Sequence, residues 1–251
     1  MTNAERPLPD TRDAPAHRPR VLVTGVEQIE GAGAARMLAE AGCRVIAHSF
    51  TAAAADAVVT EITEAGATAY PAVGDLTIEA EVDHLFTGLE DRHGGIDALI
   101  HTAWLPGPET AAHALADIDP ADWGRFTYDH MAMLFLTTRR AAASMQHNPT
   151  PGSVLTVTGL GAGVSIENRD TGPARDAING AVESFTMAAA RDNTLAALRI
   201  NTIRLTPSIG ADVADAVPPS LDELLVLLLV ERPLGSGHVI PAAPTYALVP
   251  S

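Results

Sequence analysis

The chain has 251 residues, with 31 acidic against 16 basic side chains, a net charge of −15, and 47% hydrophobic and 19% charged residues. That apolar content suits a packed core and argues against a disordered chain. The negative balance excludes a nucleic-acid partner, because phosphate contacts need lysines and arginines.

Residues 1–19 are rich in proline and charge, have no hydrophobic signal core, and read as a loose tail. The longest apolar run, Leu224 to Val230, is far shorter than the ~20 residues that span a bilayer. The expectation is a cytoplasmic protein without a membrane partner. Cys43, the lone cysteine, lies in an apolar pattern and reads as a packing residue.

From Arg20 onward, short β-like runs alternate with helical patterns, the sign of βαβ units around a parallel sheet. Strand Val21 to Val23 comes first, then the turn "TGVEQIEG" at residues 24–31 and a helix from Ala32 to Ala41. Strand Arg44 to Ala47, helix Ala52 to Ala65, strand Thr68 to Val73 and helix Glu79 to Arg92 follow. The middle of the chain gives strand Ala98 to His101, helix Ala121 to Gln146, strand Val154 to Thr158 and helix Ala174 to Asp192. Strand Arg199 to Arg204, helix Leu221 to Val230 and strand His238 to Pro241 complete the series. The fold expected is α/β: a Rossmann-like doubly wound parallel sheet of about seven strands, with helices on both faces, in a single domain at residues 20–251.

The strings "VLVTG", "GDLT" at Gly74 to Thr77, "GGIDALIHTA" at Gly94 to Ala103, "GSVLTVT" at Gly152 to Thr158, "NGAVESFT" at Asn179 to Thr186, "LRINTIR" at Leu198 to Arg204 and "GSGHVIP" at Gly235 to Pro241 follow one another in a characteristic order. In that order and spacing they resemble the short-chain dehydrogenase/reductase family. The resemblance carries that family's phosphate loop onto Thr24, Gly25, Ile29 and Gly31, with Ile29 where the middle glycine belongs. An isoleucine there is expected to occupy the space of a pyrophosphate, and Glu30 to take the anion's place at the helix start. Two like charges ~5 Å apart at an effective dielectric of ~20 repel by about 3 kcal/mol, roughly a hundredfold in affinity. The family's Asn-Asn-Ala-Gly stretch becomes His101 to Trp104, with an indole where a glycine leaves room for the ribose. Asp75 matches the residue that touches adenine, and also suits a turn.

The family's catalytic tyrosine and lysine positions fall on Arg175 and Asn179, its serine on Gly159 with Thr158 adjacent, and its helical asparagine on His130. The loop at Thr24, Ile29 and Gly31 is also similar to that of halohydrin dehalogenases, whose triad is equally missing. Ligands bind at the carboxyl ends of such strands, so His101, His130, Thr158, Arg175 and Asn179 are expected to converge. The two histidines would move a proton while Arg175 holds an anionic group or enolate.

These readings favour an enzyme without a nicotinamide cofactor and without a redox step: a lyase, isomerase, dehydratase or cyclase of a small metabolite. One alternative is a non-catalytic relative that binds a small molecule or an active homologue. A further one is an atypical NADP-dependent reductase or a dehalogenase-like enzyme. No metal is expected, since the nine histidines show no ligand spacing. The resemblance implies a homodimer or homotetramer through the long helix and the one beginning near Ala174. The segment Thr206 to Ser220 lies where relatives carry a substrate lid.

Overall fold

A computed structural model of the chain describes residues 18–105, 115–146, 148–159, 172–192, 195, 198–205, 220–226, 229 and 235–242. Residues 1–17 of the expected tail and 206–219 of the expected lid lie outside them.

The elements run β1 (Arg20–Thr24), α1 (Ile29–Glu40), β2 (Arg44–Ser49), α2 (Ala52–Glu64), β3 (Thr68–Val73), α3 (Glu79–His93) and β4 (Ala98–His101). After a short 3-10 turn at Leu115–Asp117 come α4 (Pro120–Met145), β5 (Gly152–Thr158), α5 (Gly172–Ala189), β6 (Leu198–Leu205), α6 (Leu221–Val226) and β7 (Val239–Ala242). The strands form one sheet in the order β3-β2-β1-β4-β5-β6-β7, and every pairing is parallel.

This order follows from the sequence. β1, β4 and β5 are buried along nearly their whole length, as interior strands covered on both faces must be. Pro71 and Pro241 lack the N–H that a ladder needs, and both sit on the outermost strands, β3 and β7. α1 begins at Ile29, earlier than the expected Ala32, because the helix takes in the end of the turn.

The helices are punctuated by local chemistry. Asp119 caps α4 by accepting from the amides of Ala121 and Asp122, and Pro120 follows at the first helical position. Gly94, at φ 74°, ends α3 in the left-handed conformation.

Side chains alternate across the sheet into two core layers. Val21, Val23, Val45 and Ile100 pack with Leu38, Val58 and Ile62 of α1 and α2. Leu22, Ile46 and Leu99 pack with Phe86, Leu89, Met133 and Met145 of α3 and α4. Cys43 is buried and burial pushes its thiol pKa up, as befits a packing residue. No helix among the described residues is long and apolar enough to cross a membrane.

One buried ion pair ties the start of β1 to the α3–β4 junction. Asp97 accepts from the backbone N, Nε and Nη2 of Arg20 at 2.8–2.9 Å, and from Asn148 Nδ2 at 3.1 Å. Removing one partner of such a pair leaves the other charge uncompensated. Asp97→Ala is expected to lower stability by about 3 kcal/mol, read from the urea midpoint at constant slope.

Candidate active site

The chain order reverses between β1 and β4, which opens a crevice at the carboxyl ends of these strands. Register places Thr24 between His48 and His101, His101 opposite Thr156, and Thr156 opposite Thr202. Residues in register on parallel neighbours point to the same face, so these five form a polar row across the sheet, all of them buried.

Threonines from the covering helices complete the row. Thr24 Oγ1 lies 3.2 Å and Thr137 Oγ1 3.4 Å from His101 Nδ1. Thr156 Oγ1 lies 2.7 Å from Thr202 Oγ1, which donates to Thr186 Oγ1 at 2.8 Å. His48 Nε2 meets the Gly74 carbonyl at 3.0 Å.

The expected proton-moving pair His101 and His130 is not arranged for that work. Burial lowers the His101 pKa to about 3 and the His48 pKa to about 4. Burial also lowers that of His130. His130 Nδ1 donates to the Phe126 carbonyl at 2.8 Å and Nε2 accepts from the Leu105 amide at 3.3 Å, so both ring nitrogens are committed. Its ring packs against Trp104 and Phe126, with centroids 4.3 and 4.2 Å away. Both histidines are neutral packing groups at pH 7, because a dry interior penalises the imidazolium.

Arg175 and Asn179 lie one turn apart on α5. The Arg175 guanidinium sits 5.3 Å from the centre of the Trp104 ring. Asn179 Oδ1 accepts from the Gly159 amide at 3.1 Å and so holds the end of β5. Thr158 Oγ1 donates to Glu183 Oε1 at 3.2 Å, and Glu183 forms a two-pronged ion pair with Arg204. The structure thus gathers Trp104, His130 and Arg175 in one cluster, and places Thr158 and Asn179 beside it through contacts of their own. His101 belongs to the polar row.

At the β1–α1 turn the steric expectation needs correcting. Gly25 has φ 76°, and a Cβ there would stand 2.5 Å from the Ala103 Cα. A Cβ at Gly31 would overlap the Gly25 carbonyl and Thr102 Oγ1. These glycines therefore preserve a tight turn. Ile29 is 66% exposed, so its side chain is not packed into the turn. Glu30, in the first turn of α1, is buried rather than exposed in the crevice. Trp104 is 8% exposed and committed to its aromatic neighbours. Asp75 accepts from Thr77 N at 2.9 Å and Thr77 Oγ1 at 2.7 Å, the turn role.

Glu183 and the row's other threonines, Thr137, Thr156, Thr186 and Thr202, were not singled out from sequence. Aligning the last residues of each strand would have shown that four consecutive strands end on a polar side chain, but not which ones share a level.

A family model described as Enoyl-(Acyl carrier protein) reductase matches residues 29–225. The chain is 28% identical over 142 residues to Dehydrogenase/reductase SDR family member 11 of Homo sapiens, covering 55% of this chain and 53% of that protein, so it spans about half the length of that relative. It is 25% identical over 232 residues to the 7alpha-hydroxysteroid dehydrogenase of Escherichia coli strain K12, covering 92% of this chain and 87% of that protein. The fold is similar to that of a gluconate 5-dehydrogenase from Burkholderia cenocepacia solved with NADP and tartrate: TM-score 0.72, 21% identity, 90% of this chain and 93% of that one. These matches overturn the expectation of a non-redox or non-catalytic protein without a nicotinamide cofactor, since the relatives are named as dehydrogenases and reductases.

The buried histidines couple stability to acid. Between the unfolded pKa of 6.5 and the folded values of about 3 and 4, the unfolded chain takes up protons that the folded one refuses. Their contribution is whole above pH 6.5 and is lost as pH falls below it. The urea midpoint should decline between pH 6.5 and 5, and His101→Asn should flatten that decline by about 1.4 kcal/mol per pH unit. An unchanged slope would mean that His101 is not held neutral.

Proposed function

Because the chain belongs to the short-chain dehydrogenase/reductase superfamily, we propose that it is a nicotinamide-dependent oxidoreductase acting on a small organic substrate. The observation that carries this reading is the β1–α1 turn, where Gly25 and Gly31 keep the backbone too close for any side chain. Gln28 at the start of α1 makes no side-chain cap bond, so the first amides of that helix are available to a phosphate. With Gly25 and Gly31 keeping the turn tight and Ile29 turned outward, the turn leaves room for a dinucleotide. Thr24, Gly25, Gln28 and Gly31 would hold it. The tip of β2 carries Ser49 and Phe50 with no carboxylate to read the ribose hydroxyls, which favours NADPH at least as much as NADH.

When bound, the nicotinamide supplies or accepts a hydride. The protein's own part is orientation and charge. Asn179 fixes the end of β5 through the Gly159 amide, and Thr158 is tied to Glu183. Arg175 keeps its proton at neutral pH, so it steadies negative charge on the substrate while water delivers the proton to the reduced oxygen.

Titration of the full chain with NADPH and NADH, read by energy transfer from Trp104 and Trp123 to the nicotinamide, should show saturable binding. Gln28→Glu puts a competing carboxylate at the start of α1 and should weaken that binding by about tenfold. Absence of saturation with both nucleotides would defeat the proposal.

The same reading extends to assembly. Phe135 is half exposed, and it lines an apolar cleft of about 430 Å³ between α4 and α5 with Phe185, Ala188, Ala189 and Leu195. Exposed apolar surface of this kind favours contact with a second copy. Light scattering at micromolar concentration should give a homodimer or homotetramer; a monomer would count against it.

A further inference from the structure

Arg175 differs from the six arginines that hold ion pairs. Arg20, Arg36, Arg125, Arg139, Arg140 and Arg204 each face a carboxylate within ion-pair distance. Arg175 is half-buried, and among the described residues it has no such partner. Asp176 acts on it only through space. A guanidinium taken partly out of water with no counter-charge costs stability, although the chain has 31 acidic residues to draw on.

Its position adds to that cost. Arg175 lies in the first turn of α5, where the helix dipole is positive and a cation is disfavoured, and that turn has no acidic residue to offset it. The nearest acid along the same helix face, Glu183, is already neutralised by Arg204.

The unsatisfied atoms beside it agree in kind. Arg175 Nε is buried without a hydrogen-bond partner, and so is Trp104 Nε1 on the ring beneath the guanidinium. Both groups can only donate. Two orphaned donors, a positive helix end and an unpaired guanidinium together call for an acceptor with negative charge.

We infer that Arg175, backed by Trp104 and the start of α5, is a receiving site for an anionic oxygen group of the substrate, a carboxylate or a phosphate. The inference rests on the oxidoreductase reading, and it narrows the substrate class to a hydroxy or oxo compound that carries such a group. Contact with the indole face steadies the guanidinium, 5.3 Å from the ring centre, so its N–H fork meets the anion with less further ordering.

Calorimetric titration of the full chain at constant ionic strength tests this, using malonate, inorganic phosphate and, as a neutral control, dimethyl malonate. Malonate or phosphate should bind saturably and dimethyl malonate should not; whichever anion binds tighter identifies the group. Arg175→Gln should weaken binding by about tenfold or more, and Arg175→Lys by less, since the charge remains and the fork is lost. Trp104→Phe, which keeps a ring and removes the N–H, should weaken it severalfold. No saturable anion binding, or equal binding by Arg175→Gln with its circular dichroism intact, overturns the inference. NADPH titration of the same samples separates the two readings: retained nucleotide binding without anion binding removes the anion site alone, and the reverse removes the cofactor assignment.

Discussion

The close approach of the β1–α1 turn to the end of β4 holds the rest of this molecule in place. Thr102 Oγ1 donates to the Thr24 carbonyl, the Ala103 amide donates to Thr24 Oγ1 at 3.3 Å, and Gly25 at φ 76° lies where any Cβ would strike Ala103. That contact sets where α1 starts, and so where its uncapped amides point. It also delivers Trp104 to α4 and α5, since the chain leaves β4 through Thr102 and Ala103. A turn one ångström looser would separate the two halves of the crevice.

Beneath the crevice, the polar row fixes alignment more than it adds stability. A hydrogen bond formed on folding nets about 1 kcal/mol, while an orphaned buried hydroxyl or imidazole costs about 1–3 kcal/mol. Each strand end is therefore held to the one register in which His48, Thr24, His101, Thr156 and Thr202 lie level. A slip of one residue would turn the row to the opposite face and strand its partners Thr137 and Thr186. The same burial keeps the imidazoles neutral and lowers their basicity, which makes them weak proton acceptors.

Charge is distributed with a purpose that the net value of −15 hides. Six arginines are spent on carboxylates, among them those tying α2 to α1, α3 to α4 and α5 to β6. The start of α1 and the start of α5 with Arg175 are two positive foci near Trp104, and under the proposed reading they would draw a diphosphate to one and a substrate anion to the other.

The sequence by itself determined the seven strands, their parallel order and the family. Short apolar runs alternating with helical patterns give the strands, and the ordered strings from "VLVTG" to "GSGHVIP" carry the resemblance; Pro71 and Pro241 proved to lie on the edge strands only once the sheet order was known. It also put Arg175 and Asn179 one turn apart. Only the tertiary structure decided that Ile29 faces solvent, that Glu30 is buried, that Asp75 serves its turn, and that His101 and His130 are dry and neutral. The physical reason is direction and depth. A motif gives the order of side chains along the backbone, but whether a side chain fills a cleft or leaves it depends on helix starts, strand register and neighbours 70 or more residues away, such as Thr102 and Ala103 against Thr24.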